Sequence, residues 1–145
     1  MPTNDDPLLF DTSAALAFVD AENPFHRQTR QLAVQRARGL SGHAAFEFLS
    51  VLTRLPLPKR VPADDAVRLM RREFPHNRFL PADAMDSLLD EFAQARIVGG
   101  LIYDGLVGAC ARFHGLTLVT CDRRAEETYR SLGTPYHLVA AVGTL

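Results

Sequence analysis

The chain has 145 residues, with 16 Lys+Arg, 17 Asp+Glu and a formal charge of −1. That length fits one domain, spanning residues 1–145, and 47% apolar with 23% charged residues is ordinary globular composition, which argues against global disorder. A charge this close to zero excludes a generic polycation, so any nucleic-acid binding must rest on a local basic patch.

Residues 1–6 are polar and acidic and read as a short loose tail. Leu8-Leu9-Phe10 is a brief apolar run without alternation, the pattern of a parallel-sheet strand buried on both faces. Asp11-Thr12-Ser13 supplies helix N-cap residue types, so the chain turns into a helix there. Asn23-Pro24 breaks that helix, and residues 26–38 look like an exposed amphipathic one. Residues 39–42 allow a very short strand or turn, and residues 43–55 form a strongly apolar helix candidate. A loop with three prolines spans 56–62. A helix then runs from 63 to about 74, a short strand is expected over 78–80, and Pro81 opens a helix to about 97. After a flexible joint at 98–101, an apolar helix over 102–113 is closed by Gly115. Residues 116–120 are the best strand by β-branched content, 122–132 a polar helix, and 136–139 a last strand. Short apolar strands alternating with helices predict an α/β sandwich with a mostly parallel sheet.

Cys110 and Cys121 are the only cysteines, with no CxxC and no Cys/His cluster. This is neither a disulfide scaffold nor a structural zinc pattern, and a reducing compartment is expected. With no signal-peptide pattern and no apolar run of membrane-spanning length, a soluble cytoplasmic protein is expected.

Most of the 17 acids sit in charged, solvated stretches, but four do not. Asp11 directly follows the first strand, and Asp122 lies two residues after Thr120 at the end of the best one. Open α/β sheets bind ligands outside the carboxyl ends of their strands, which is where both acids fall. Each suits a helix cap equally well. Glu47 is the one charged group within Ala44-Ala45-Phe46-Glu47-Phe48-Leu49-Ser50-Val51-Leu52, and Asp104 is the one within residues 102–111. Helices this apolar are mostly buried, and a lone buried carboxylate is costly unless it is paired, protonated or bound to metal. No Lys or Arg lies three or four residues from Glu47, and the nearest cation on the helix of Asp104 is Arg112, eight residues on. The plain alternative is that one helical face reaches solvent at each acid. Four carboxylates gathered in one pocket would repel one another, and a divalent cation resolves that repulsion. Oxygen-only ligands favour Mg²⁺ or Mn²⁺, ions that activate water and neutralise charge on a phosphodiester.

In order, Leu8-Leu9-Phe10-Asp11-Thr12-Ser13-Ala14, Phe46-Glu47-Phe48-Leu49, Gly99-Gly100-Leu101-Ile102-Tyr103-Asp104-Gly105-Leu106-Val107 and Leu118-Val119-Thr120-Cys121-Asp122-Arg123-Arg124 resemble the PIN-domain family. More narrowly they resemble the VapC toxins of type II toxin–antitoxin modules, over residues 8–139. The resemblance implies a three-layer α/β/α sandwich and a metal-dependent endoribonuclease whose catalytic and metal-binding quartet is Asp11, Glu47, Asp104 and Asp122. Asp11 and Asp104 would be the direct ligands, while Glu47 and Asp122 would hold a second metal or act through water. Thr120 would hydrogen-bond within the site, with Ser13 close to it. Mg²⁺ is the implied ion, with Mn²⁺ able to substitute, and the RNA product would carry a 5′-phosphate and a 3′-hydroxyl. The implied partners are RNA, an antitoxin seated in a groove formed near residues 14–21 and 56–74, a second copy in a homodimer, and a higher toxin–antitoxin assembly. No quartet acid is replaced by a neutral residue. Gly105 stands where the family usually carries Ala, which lowers helix propensity by up to about 1 kcal/mol.

His43, four residues before Glu47, shares its helical face and is weighed as a ligand, proton shuttle or plain polar contact. His26, His76, His114 and His137 are scattered and read as structural. Cys121 adjoins the presumed site and suits a small buried apolar role. Arg112 and Arg123 flank the motifs and are the candidate RNA contacts. Two rival functions are considered. A phosphatase of the haloacid-dehalogenase type wants Asp-x-Asp where this chain has Asp11-Thr12-Ser13. A receiver-like or catalytically silent module using the acidic pocket wants a late Lys, and no Lys follows Arg130.

Overall fold

Three consecutive apolar residues, Leu8–Phe10 (β1), leave no side chain for solvent. In the computed structural model, which describes residues 2–141, all three are buried. β1 pairs in parallel with Arg38–Leu40 (β2) on one side and Leu118–Thr120 (β3) on the other. β3 pairs in parallel with Tyr136–Leu138 (β4), giving the order β2-β1-β3-β4. The helices are Thr12–Val19 (α1), His26–Ala33 (α2), Ala44–Thr53 (α3), Ala63–Glu73 (α4), Ala82–Ala95 (α5), Leu101–His114 (α6) and Glu126–Ser131 (α7).

Alternate strand residues serve opposite faces. Leu8, Phe10 and Val119 join a core with Phe18 of α1, Phe48 of α3 and Ala66 of α4. Leu9 and Leu118 join a second core with Val107 and Ala111 of α6 and Tyr129 of α7. Helices therefore cover both faces, and the expected three-layer α/β/α sandwich is what forms. The first core centres on four phenylalanines, Phe10, Phe18, Phe48 and Phe74, in edge-to-face contacts with centroids 5.2–5.8 Å apart.

Several local expectations are corrected. The helix expected over 26–38 ends at Ala33, because Arg38 instead enters β2 and turns its guanidinium onto the helix end. There it donates to the carbonyls of Ala33, Val34 and Arg36, capping orphan acceptors, and lies 4.5 Å from the centroid of the Phe18 ring. The strand expected over 78–80 reduces to one parallel bridge, Ser41↔Arg78. Here the backbone of residues 76–77 crosses β2 so closely that a Cβ on Gly39 would meet the His76 carbonyl oxygen at 1.9 Å. The polar helix expected over 122–132 is a 3₁₀ turn, Arg123–Ala125, followed by the short α7. Within the stretch read as a tail, the Asp6 N–H donates to the Thr3 carbonyl, and Arg36 donates to the carbonyls of Thr3 and Asp6. Residue 1 of that tail lies outside the described residues.

The chain leaves β1 toward β2 on one side, while β3 leads to β4 on the other. The strand order thus reverses between β1 and β3, and parallel α/β sheets bind ligands in the crevice outside the carboxyl ends of such a pair. Asp11 ends β1 and Asp122 lies just past β3, so both acids are delivered to that crevice.

Candidate active site

Asp11 is 5% exposed and is both cap and site residue. Its Oδ1 accepts from the Ala14 N–H at 3.0 Å, capping α1, and from the Ser13 hydroxyl at 2.6 Å. Its Oδ2 accepts from the Tyr129 hydroxyl at 2.9 Å. Burial raises the Asp11 pKa, and hydrogen bonds from Ser13, Thr120, Ala14 and Tyr129 pull the other way. The Ser13 hydroxyl also accepts from the Cys121 N–H at 2.9 Å and lies 3.4 Å from the Thr120 hydroxyl, tying the ends of β1 and β3 together. The fully buried Thr120 in turn accepts from the Asp122 N–H at 3.0 Å. Asp122 caps the 3₁₀ turn through Arg124 N–H, so it too is a cap and a site residue.

Glu47 and Asp104 come from α3 and α6, which pack on opposite faces of the sheet near its carboxyl edge. With Asp11 and Asp122 they line a single cleft of about 230 Å³, which Leu16, Val51 and Val107 also line. Both are half-buried, and among the described residues neither accepts a hydrogen bond or pairs with a cation within 4 Å. Burial, followed by the charges of Asp122, Asp11 and Glu47, pushes the Asp104 pKa up to about 6, with Arg124 opposing. The four acids singled out in the sequence are therefore brought together.

Other candidates fall elsewhere. Arg112 forms a two-pronged pair with Glu91, at 2.7 and 2.9 Å, and donates to the Leu132 carbonyl. Its guanidinium fastens α6 to α5 rather than facing the cleft. Arg123 is exposed, but its neighbour Arg124 is the one whose Nε lies 3.4 Å from Asp122. His43 stacks on Tyr103 with centroids 5.0 Å apart and lines an apolar cleft with Phe46, Phe79 and Met85 instead of the acidic one. The Cys121 sulfur rests 3.6 Å from the Thr29 hydroxyl, and burial pushes its pKa up to about 11, as befits an inert core thiol. Tyr129 and Arg124 are the residues sequence reasoning missed. Tyr129 offers no signal in a polar helix, whereas Arg124 stood beside the chosen Arg123 and needed only the geometry of the turn.

Comparison with known proteins decides the family: residues 8–131 match the PIN domain. The chain belongs to the PIN-domain family, and within it to the VapC type. Ribonuclease VapC27 of Mycobacterium tuberculosis is 37% identical over 135 residues, covering 93% of this chain and 97% of the relative. VapC20 of M. tuberculosis, described as a sarcin–ricin loop cleaving toxin, superposes with a TM-score of 0.65 at 17% identity over 83% of this chain and 93% of that one. VapBC2 of Rickettsia felis, solved bound to a DNA fragment from its promoter, gives 0.65 at 13% identity over 93% of this chain and all of that one. At these identities the two structures show the fold. PIN-domain ribonucleases are generally divalent-metal dependent, and an all-oxygen donor set of four carboxylates fits such an ion. Among the described residues no three acid, His or Cys side chains converge tightly enough to enclose a bare ion.

Proposed function

We propose that this chain is a Mg²⁺-dependent endoribonuclease and the toxin of a toxin–antitoxin pair. The observation that carries this reading is the pair of half-buried, unpartnered carboxylates, Glu47 and Asp104, facing Asp11 and Asp122 in one cleft. Asp11 and Asp104 would hold the ion directly, with Glu47 and Asp122 acting through water; Mn²⁺ would substitute. The bound ion supplies water activation and charge neutralisation at a phosphodiester. The chain's own residues do the rest. Tyr129, Ser13 and the Ala14 N–H fix the Asp11 carboxylate, and Thr120 fixes the backbone at Asp122. Glu47 would orient the water and accept its proton; attack at phosphorus breaks the P–O3′ bond, and the leaving 3′-oxygen takes up a proton from solvent, giving 5′-phosphate and 3′-hydroxyl ends.

The names of the relatives support ribonuclease activity, and a toxin–antitoxin complex among the structural neighbours supports an antitoxin partner. A groove of about 300 Å³, walled by Leu16, Val19, Leu52, Leu55, Val61 and Leu69, fits an apolar antitoxin segment. Leu16 and Val51 border both this groove and the acidic cleft, so a segment seated there leads directly to the acids. A homodimer and a cytoplasmic location belong to the same reading. Exposed Phe46, Met85, Leu89 and Tyr103 support self-association, and two unpaired cysteines support a reducing compartment. Among the described residues no helix is long and apolar enough to cross a membrane.

The test is cleavage of a labelled single-stranded RNA by the purified chain. Activity is expected in Mg²⁺, none in excess EDTA, and a loss of at least about 100-fold in Asp104→Ala, equivalent to about 3 kcal/mol. Equal cleavage in EDTA would overturn the metal, and full activity in Asp104→Ala would overturn the site.

A further inference from the structure

A cleft of four carboxylates attracts a cation but repels the rest of an RNA strand, whose phosphates flanking the reacting one stay negative. With a chain charge of −1, that repulsion must be offset locally. Much of the cationic charge is already matched: Arg38 with Glu73, Lys59 with Glu22, Arg68 with Asp65 and Arg112 with Glu91. Arg96 is not. Among the described residues its guanidinium has no hydrogen-bond or ion-pair partner, and the residue is exposed.

Arg96 ends α5 in the left-handed conformation, with φ 58° and ψ 36°, a position that favours glycine at a helix end. Arg96 lines a second cleft of about 210 Å³ together with Leu101, Arg124, Glu127, Thr128 and Ser131. Arg124 links this cleft to the acidic one: its Nε is 3.4 Å from Asp122, and its charge reaches Asp104. Glu127 is the one acid in this second cleft, and it acts on Arg130 on its own helix. Two arginines thus line one hollow, and the ion pair of Arg124 with Asp122 links that hollow to the acids.

We propose that Arg96 and Arg124 form a phosphate subsite that grips the RNA backbone beside the scissile phosphodiester. Guanidinium forks suit phosphate oxygens, and a contact to phosphate positions the strand without reading its sequence. This assignment rests on the ribonuclease reading and adds the residues that hold the substrate.

The test is the affinity of the Asp104→Asn protein for a fluorescent single-stranded RNA in Mg²⁺, measured across a salt series. Arg96→Ala is expected to weaken binding about tenfold. It should also lower the slope of log affinity against log salt by about 0.7, the value for one lost phosphate contact on a single strand. Arg96→Lys should restore most of the slope, and Arg124→Ala should act in the same direction. Arg71→Ala, on the exposed side of α4, should change neither quantity. A cleavage assay then locates the contact. One uncharged methylphosphonate next to the scissile bond should cost the otherwise wild-type chain about what Arg96→Ala costs, and cost Arg96→Ala nothing further. Unchanged affinity and slope in both Arg96→Ala and Arg124→Ala, with RNA still bound and cut, would overturn the subsite alone. Absence of RNA binding and cleavage in the parent chain would overturn the ribonuclease reading beneath it.

Discussion

Asp11 caps α1 with one oxygen and offers the other to the cleft, where the Tyr129 hydroxyl holds it at 2.9 Å. Groups that orient a metal ligand typically govern affinity by about 10- to 100-fold. Tyr129→Phe is therefore expected to raise the Mg²⁺ concentration for half-maximal cleavage by at least about tenfold, with activity recovering at saturating Mg²⁺. Unchanged Mg²⁺ dependence would remove Tyr129 from the site. Asp104 makes a second prediction. Its pKa rises from 3.8 to about 6 on folding, so the folded state binds more protons than the unfolded state between those values. The metal-free protein should lose stability as pH rises through that window, and Asp104→Asn should abolish this component and raise Tm at pH 7. Added Mg²⁺ should raise the Tm of the parent chain at pH 7 and not that of Asp104→Asn. Glu47 and Asp104 were legible because each charge stood alone in an apolar run, and Asp11 and Asp122 because each follows a strand. The choice between Arg123 and Arg124 was not, because a 3₁₀ turn replaces the expected helix and sets which neighbour meets Asp122.

Helix α6 shows how an element departs from propensity for the sake of packing. A Cβ at Gly105 would lie 2.8 Å from the tip of the Phe92 ring, which α5 presses against it. The glycine that weakens the helix by up to about 1 kcal/mol thus makes room for a buried aromatic. Gly105→Ala is expected to lower Tm despite its better helix propensity, and Phe92→Leu is expected to rescue part of that loss in the double variant. Additive effects of the two substitutions would contradict the contact. Apolar runs and caps placed α1, α3 and α6 to within a few residues. The end of α2 and the missing strand near Arg78 were hidden, since both depend on contacts made far along the chain. Arg38 reaches back to the helix end, and residues 76–77 press on Gly39.

At the scale of the whole molecule, the sheet order β2-β1-β3-β4 explains why residues as far apart as Asp11 and Asp122 meet, and why α3 and α6 add one acid each from opposite faces. The alternation of elements made that architecture readable from sequence. The groove bordered by Leu16, Val19, Val61 and Leu69 falls where the family resemblance put one, whereas the cleft of Arg96 and Arg124 gave no sign in the sequence, since its residues carry no motif. The gathering of four carboxylates around one cation is tested most directly by anomalous diffraction from crystals of the chain soaked in Mn²⁺. The expected result is a peak within ligand distance of Asp11 or Asp104 in the parent chain and none there in Asp104→Ala. Ordered crystals with no peak in this cleft at saturating Mn²⁺, or with one that persists unchanged in Asp104→Ala, would contradict it.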